Sequence, residues 1–243
     1  MKILIIGDPH GKLPIGLTQI VKKNKIELII CTGDIPPVPG RGKDNQPFEF
    51  TKKFIKIADK KFENLVNKLC SYKLPVLTLR GNMYLTGRSQ RLTKKIFSKN
   101  KNLYYKKAGK IKFNKQTFIF FDMIWEPEMN IMGKKPTAYS KRKYKTNIKR
   151  EKHINKLLKE NPNAILISHS PPHKILDKIN FPGMPKDPKK QHVGSRILAK
   201  AVTKYPPKYC IFGHIHEGKG KKKIGRTTFI NAGVSGDYYI IDA

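Results

Sequence analysis

Lys2-Ile3-Leu4-Ile5-Ile6-Gly7-Asp8-Pro9-His10-Gly11 is an unbroken apolar run halted by a turn that carries an acid and a histidine. An apolar run this short, bounded by Gly and Pro, reads as a buried strand rather than a half-exposed one. The same grammar recurs along the chain. Glu27–Thr32 is a second buried strand stopped at Gly33-Asp34, and Pro75–Leu79 is a third, ended by Arg80-Gly81-Asn82. Between them lie a short helical stripe (Leu17, Ile20, Val21) and a long one (Phe50, Phe54, Ile57, Phe62, Leu65, Val66, Leu69). Strands alternating with helices predict a parallel sheet with helices outside.

The middle of the chain changes character. Asn102–Tyr105, Lys110–Phe113 and Thr117–Phe121 are short β-rich segments separated by turn residues, expected to pair antiparallel. Asp122–Pro136 reads as irregular, and Thr137–Glu160 as a basic helix with its apolar stripe at Ile154, Leu157 and Leu158, ended by Asn161-Pro162. The alternation then resumes: a strand at Ala164–Ser168 running into His169, a helix at Val193–Val202, a strand at Lys208–Phe212 running into Gly213-His214-Ile215-His216, and final strands at Thr227–Asn231 and Tyr238–Ile241. No repeat and no linker-like shift in composition divides the chain, so residues 1–243 are expected to form a single domain.

The chemistry-bearing residues share one position in this pattern. Asp8/His10, Asp34, Asn82, His169 and His214/His216 each stand where a strand ends. In open α/β sheets ligands bind beyond the carboxyl ends of the strands, so five such clusters are expected to converge. Imidazole and carboxylate donors together suit Mn, Fe, Co, Ni or Zn better than Ca or Mg. Seven ligands are too many for one tetrahedral ion but suit two divalent ions sharing a bridging carboxylate, for which Asp34 is the natural choice.

These blocks, D-x-H-G at Asp8–Gly11, G-D at Gly33-Asp34, G-N at Gly81-Asn82, a lone His169 and G-H-x-H at Gly213–His216, resemble the calcineurin-like metallophosphoesterase superfamily and occur in its order. His169-Ser-Pro-Pro-His173, His192-Val-Gly-Ser195, Phe212–Gly218 and Ile230-Asn-Ala-Gly233 are similar to its small metallophosphoesterase-domain subgroup, which includes phosphodiesterases. The resemblance implies an α/β fold of two packed mixed β-sheets flanked by α-helices. It implies Asp8, His10, Asp34 and His216 on one metal, and Asp34, Asn82, His169 and His214 on the other. The chemistry it implies is in-line attack on a phosphate ester, favouring diesters, by a metal-bridging hydroxide, with Asn82 and His169 also serving catalysis.

One departure stands out. The superfamily usually has His directly after the Asn of its third block, where it protonates the leaving oxygen; here the residue is Met83, followed by Tyr84. A thioether cannot donate a proton, and an unreplaced general acid costs roughly 10²–10⁴ in rate. His173, His192 and Tyr84 are candidate substitutes. Arg41, flanked by Gly40 and Gly42 in the loop after Asp34, is a candidate phosphate ligand. Arg80 is expected to face away, and His153 to be solvated.

Composition bounds the remaining classes. The chain of 243 residues has 51 Lys+Arg against 17 Asp+Glu, a net charge of +34. Eight of those 51 are Arg, so 43 are Lys. Three basic runs, Arg88–Lys115, Lys134–Lys152 with Tyr139 and Tyr144 interleaved, and Lys219–Arg226, allow nucleic-acid binding or a merely solvated Lys-rich surface. Apolar runs of about five residues are too short to span a membrane, and the apolar N-terminal run is too short for a signal peptide. Cys31, Cys70 and Cys210 are an odd, sparse set, read as reduced and buried in a cytoplasmic protein. The alternatives to a phosphodiesterase are a phosphomonoesterase or protein phosphatase, and a weakly active or non-catalytic metal-binding module that binds nucleic acid or protein. A degenerate module would be expected to have lost ligands, whereas all seven positions here are filled.

Overall fold

The structure is a computed structural model and describes residues 1–39, 51–82, 87–122, 149, 151–180 and 191–243, with side chains omitted at 87–90. Arg41, Met83, Tyr84, Phe50 and most of the Lys134–Lys152 run lie outside the described residues. Internal contacts divide the chain into two compact units, Met1–Tyr105 with Val234–Ala243, and Lys106–Gly233.

In the first unit, β1 (Lys2–Ile6), β2 (Leu28–Cys31), β3 (Val76–Thr78) and β4 (Leu103–Tyr105) run parallel, and β11 (Tyr238–Asp242) pairs antiparallel with β1, giving the order β11-β1-β2-β3-β4. β1 and β2 bury both faces, which is why they read as unbroken Ile/Leu runs rather than alternating ones. Helices α1 (Leu17–Lys23), α2 (Lys52–Cys70) and α3 (Gly87–Lys99) supply Leu17, Val21, Phe62, Val66, Leu69 and Ile96 to one core with Leu4, Ile6, Ile29, Cys31 and Val76 of the strands.

The second unit holds a six-stranded sheet of order β5-β6-β7-β8-β10-β9. β6 (Gln116–Phe121), β7 (Ile165–Ser168), β8 (Tyr209–Phe212) and β10 (Thr227–Asn231) are parallel; β5 (Ala108–Phe113) and β9 (Gly220–Ile224) close the two edges antiparallel. Helix α4 (residues 151–160) and α5 (Arg196–Lys204) bring Ile154, Leu157, Leu158, Leu198 and Val202 onto Ile119, Leu166, Cys210 and Phe212. The expected class, two mixed sheets flanked by helices, is the one observed.

Two local expectations are corrected, and two elements are found where the sequence suggested none. Asn102–Tyr105 was expected to pair antiparallel with the strands after it, but β4 pairs parallel with β3, Val76 opposite Leu103, because a helical crossover precedes it. That crossover, α3, was hidden in a basic run whose apolar positions are only Leu92, Ile96 and Phe97; Ile96 is buried and the other two partly so. β9 was hidden for a related reason: Lys221, Lys222 and Lys223 carry no apolar alternation, and the strand forms by pairing its backbone with β10. Finally, Ile57 leaves the buried stripe of α2 at 55% exposure, and Ala58 takes that place beside Phe62, Val66 and Leu69.

Candidate metal centre

In the first unit the donors stand where the strand ends turn. Asp8 follows β1 and is fully buried; its Oδ1 accepts a 2.6 Å hydrogen bond from Thr32 Oγ1 at the end of β2. Its backbone is held from the other side, bridging Val234 and accepting from Ser235 N at 2.9 Å. Asp34 follows β2 at 2% exposure, its N–H donating to Arg80 O at 3.3 Å and its carbonyl accepting from His10 N at 2.9 Å. These bonds tie the turns after β1, β2 and β3 to one another and bring His10 Nε2 to 4.0 Å from Asp34 Oδ2. Asn82, after β3, is half-buried.

Gly81 explains why the third block needs glycine. Its φ is +75°, and a Cβ there would strike the Asp34 carboxylate and stand 2.7 Å from Asp34 N. Asp34 itself holds φ 43°, as does His10, and His214 holds φ 68°. Left-handed backbone at non-glycine residues is costly and gathers at functional sites.

In the second unit, His169 follows β7, fully buried, and its carbonyl accepts from Gly213 N at 3.2 Å. That bond sets the turn after β8 beside it, so the His169 and His214 rings lie 4.9 Å apart at 52°. His216 opens a single 3-10 turn, His216–Gly218. Asn231, at the end of β10, donates through Nδ2 to Ile215 O at 2.7 Å and to Leu176 O at 3.0 Å, pinning the turn between the two histidines. The candidate donors of the first unit are carboxylates with an imidazole and those of the second are three imidazoles, both of them types that divalent transition metals take.

His173 and His192 meet each other, ring centroids 5.8 Å apart, around a residue the sequence reading passed over. Asp177 is fully buried between them, 2.6 Å from His192 Nδ1 and 3.7 Å from His173 Nδ1. Its signal was faint: one acid between Lys174 and Lys178, with its partner fifteen positions away. Thr32 was likewise unassigned, because an ordinary Thr at a strand end carries no motif, and Asn231 stood in the Ile230-Asn-Ala-Gly233 stretch without a role of its own. Arg80 is half-buried with its Nε buried, Glu217 is exposed, and His153 is exposed as expected. Burial pushes the Cys31 thiol up to about 12 and Cys70 to about 11; Cys210, fully buried, is also raised.

The profile of the family described as calcineurin-like phosphoesterase matches residues 1–218. An uncharacterized protein of Methanocaldococcus jannaschii, MJ1162, is 27% identical over 247 residues, covering 100% of this chain and 92% of that one. Two other relatives match only in part. The UPF0046 protein K07C11.7 of Caenorhabditis elegans is 40% identical over 72 residues, 30% of this chain and 22% of its own length. The human metallophosphoesterase domain-containing protein 1 is 44% identical over 71 residues, 29% of this chain and 20% of its own length. In both cases the matched stretch spans only about a fifth of the relative. Among solved structures, a dimetal phosphatase from Danio rerio superposes with a TM-score of 0.64 at 10% identity, covering 99% of this chain and 91% of that chain. The phosphopantetheinyl hydrolase of Mycobacterium tuberculosis superposes at 0.56 and 12% identity, covering 97% and 89%. At such identities these two likenesses speak for the fold alone.

Proposed function

Because the chain belongs to the calcineurin-like phosphoesterase family, and is therefore a metal-dependent phosphoesterase, we propose that it hydrolyses phosphodiesters at a dinuclear site. In this reading residues 1–243 act as one metallophosphoesterase domain. Asp8, His10, Asp34 and His216 hold one divalent ion; Asp34, Asn82, His169 and His214 hold the other. Mn, Fe, Co, Ni and Zn all suit this donor set. When bound, such ions supply Lewis acidity and bring the pKa of a water towards neutrality.

The observation that carries the reading is that every ligand position of the family pattern is filled, with Asp8, Asp34 and His169 buried and His10, Asp34 and His214 held in left-handed backbone. Two carboxylates held out of water suit a bound cation, whose charge adds to the contacts they already make. The chain's own contribution is to hold these side chains: Thr32 fixes the rotation of the Asp8 carboxylate, the bonds among Arg80, Asp34 and His10 fix the second turn, and Asn231 fixes the third. Asn82 and His169 are further proposed to touch the substrate phosphate, with Arg41 as an additional phosphate ligand.

A diester preference rests on the likeness of the His169–His173 and His192–Ser195 stretches to the phosphodiesterase-containing subgroup. The third block lacks the His-Glu continuation of the protein phosphatase branch. The Lys-rich surface supports a polyanionic substrate such as a single-stranded oligonucleotide. Three buried cysteine thiols fit a reducing compartment such as the cytoplasm.

The test is hydrolysis after loading with Mn²⁺, Ni²⁺, Co²⁺ or Zn²⁺. It compares bis-p-nitrophenyl phosphate, p-nitrophenyl phosphate, 2′,3′- and 3′,5′-cyclic nucleotides and oligonucleotides against an Asp34→Asn control. Preferential turnover of diesters supports the proposal. Preferential turnover of the monoester makes the protein a phosphomonoesterase, and no turnover above the control with any metal defeats catalysis.

A further inference from the structure

The loop after β7 carries an ionisable cluster that the metal centre does not use. Asp177 is fully buried in a chain with few acids, and everything around its oxygens can donate. Oδ2 accepts from Lys174 N and from Gly194 N, each at 2.9 Å, and Oδ1 faces His192 Nδ1 at 2.6 Å. The His173 ring stands edge-on to His192, centroids 5.8 Å apart. Gly194 makes this approach possible: a Cβ there would lie 2.8 Å from Asp177 Oδ2 and 2.6 Å from the Pro172 carbonyl.

With Asp177 as a carboxylate, His192 Nδ1 must carry the hydrogen between them, which leaves Nε2 as the nitrogen able to give or take a proton. His192 keeps 19% side-chain exposure, so the ring is not sealed in the core. The cluster is also built onto the ligand turn of its own unit. Ile179, two residues after Asp177, and Val193, next to His192, form one buried group with Ile215, the residue between His214 and His216. Asn231 bonds Leu176 O and Ile215 O together, and a side chain at Gly218 would strike the Leu176 carbonyl.

We propose that Asp177 and His192 form a proton-donating dyad for the leaving oxygen, Asp177 positioning the ring and His192 delivering the proton in place of the histidine that position 83 lacks. This rests on the phosphodiesterase reading above. His192 is assigned rather than His173 because Asp177 Oδ1 sits at hydrogen-bond distance from it, while His173 lies 3.7 Å from Oδ2. Burial, moreover, lowers the His173 pKa and favours its neutral form. In the step, a water adds to phosphorus and gives a proton to solvent as the bond from phosphorus to the leaving oxygen breaks. That oxygen takes the Nε2 proton of the imidazolium and departs as an alcohol; the ring, left neutral, is reprotonated from solvent.

The test varies the leaving group. General-acid assistance matters for an alkoxide and little for p-nitrophenolate, which leaves unaided. His192→Ala and Asp177→Asn should lose about 10²-fold or more in kcat on a nucleotide diester with a ribose leaving group, and far less on bis-p-nitrophenyl phosphate. Metal content should match the wild type, and added imidazole should partly restore His192→Ala. Nitrogen-15 chemical shifts of the His192 ring should report a protonated Nδ1 in the wild type, lost as a fixed state in Asp177→Asn. If Asp177→Asn fails to fold, His192→Ala and His192→Asn carry the comparison. Equal losses on both substrates, or an Nδ1 without hydrogen in the wild type, overturn the dyad and leave the phosphodiesterase reading standing. No wild-type turnover on either substrate overturns both.

Discussion

Asp34 is buried, bonded through its backbone on both sides, and held at φ 43°. A left-handed conformation costs a non-glycine residue about 1–2 kcal/mol, and removing a carboxylate from water adds a desolvation cost. Both are liabilities of the metal-free protein that a bound cation offsets. Asp34→Asn keeps the shape, relieves the buried charge and tolerates positive φ better. Thermal denaturation should therefore show Asp34→Asn at or above the wild type without metal, and below it once metal is added, since binding stabilises only the form that binds. A variant equally stabilised by metal would show that Asp34 is no ligand. At this scale the seven candidate donors could be nominated from sequence because each sits in a short contiguous block beside a strand. The bonds of Asp177 and Asn231 could not be: their partners lie 15 and 55 positions away, beyond the reach of any local pattern.

Elements depend on local signals of uneven strength. α5 has a strong one: Ser195 is its N-cap, with Oγ accepting from Leu198 N at 2.9 Å. Ser195→Ala should cost about 1 kcal/mol, read as a shift in the denaturant midpoint with unchanged slope. A larger loss would mean that the Ser195 hydroxyl does more than cap the helix, since the backbone bonds of Ser195 to Pro171 and His173 persist in the variant. α3 and β9 have weak signals because lysine fills the positions where apolar spacing would show. β9 exists by backbone pairing, which any sequence can supply, and its three exposed lysines guard the sheet edge against pairing with another chain.

Across the whole molecule the charge of +34 acquires a partial physical reading. Lys221, Lys222 and Lys223 on β9, and Lys110 and Lys112 on β5, mark the two edges of the second sheet, so part of the excess is edge protection. Whether the remainder recruits a polyanion is read from salt. If it does, kcat/KM on an oligonucleotide should fall steeply and log-linearly between low and physiological salt while that on a small diester barely changes. Parallel salt dependences would assign the charge to the surface alone. No helix among the described residues is long and apolar enough to cross a membrane.

Most strand positions, the buried thiols and the candidate metal donors were readable from the chain, because apolar runs, turn residues and ligand spacing act over a few residues. Folding was needed for the rest. The parallel partner of β4, the backbone-made strand β9, and the meeting of His192 with Asp177 all join residues distant in sequence. Such pairings are chosen by which surfaces and hydrogen-bonding groups become neighbours only once the core has formed.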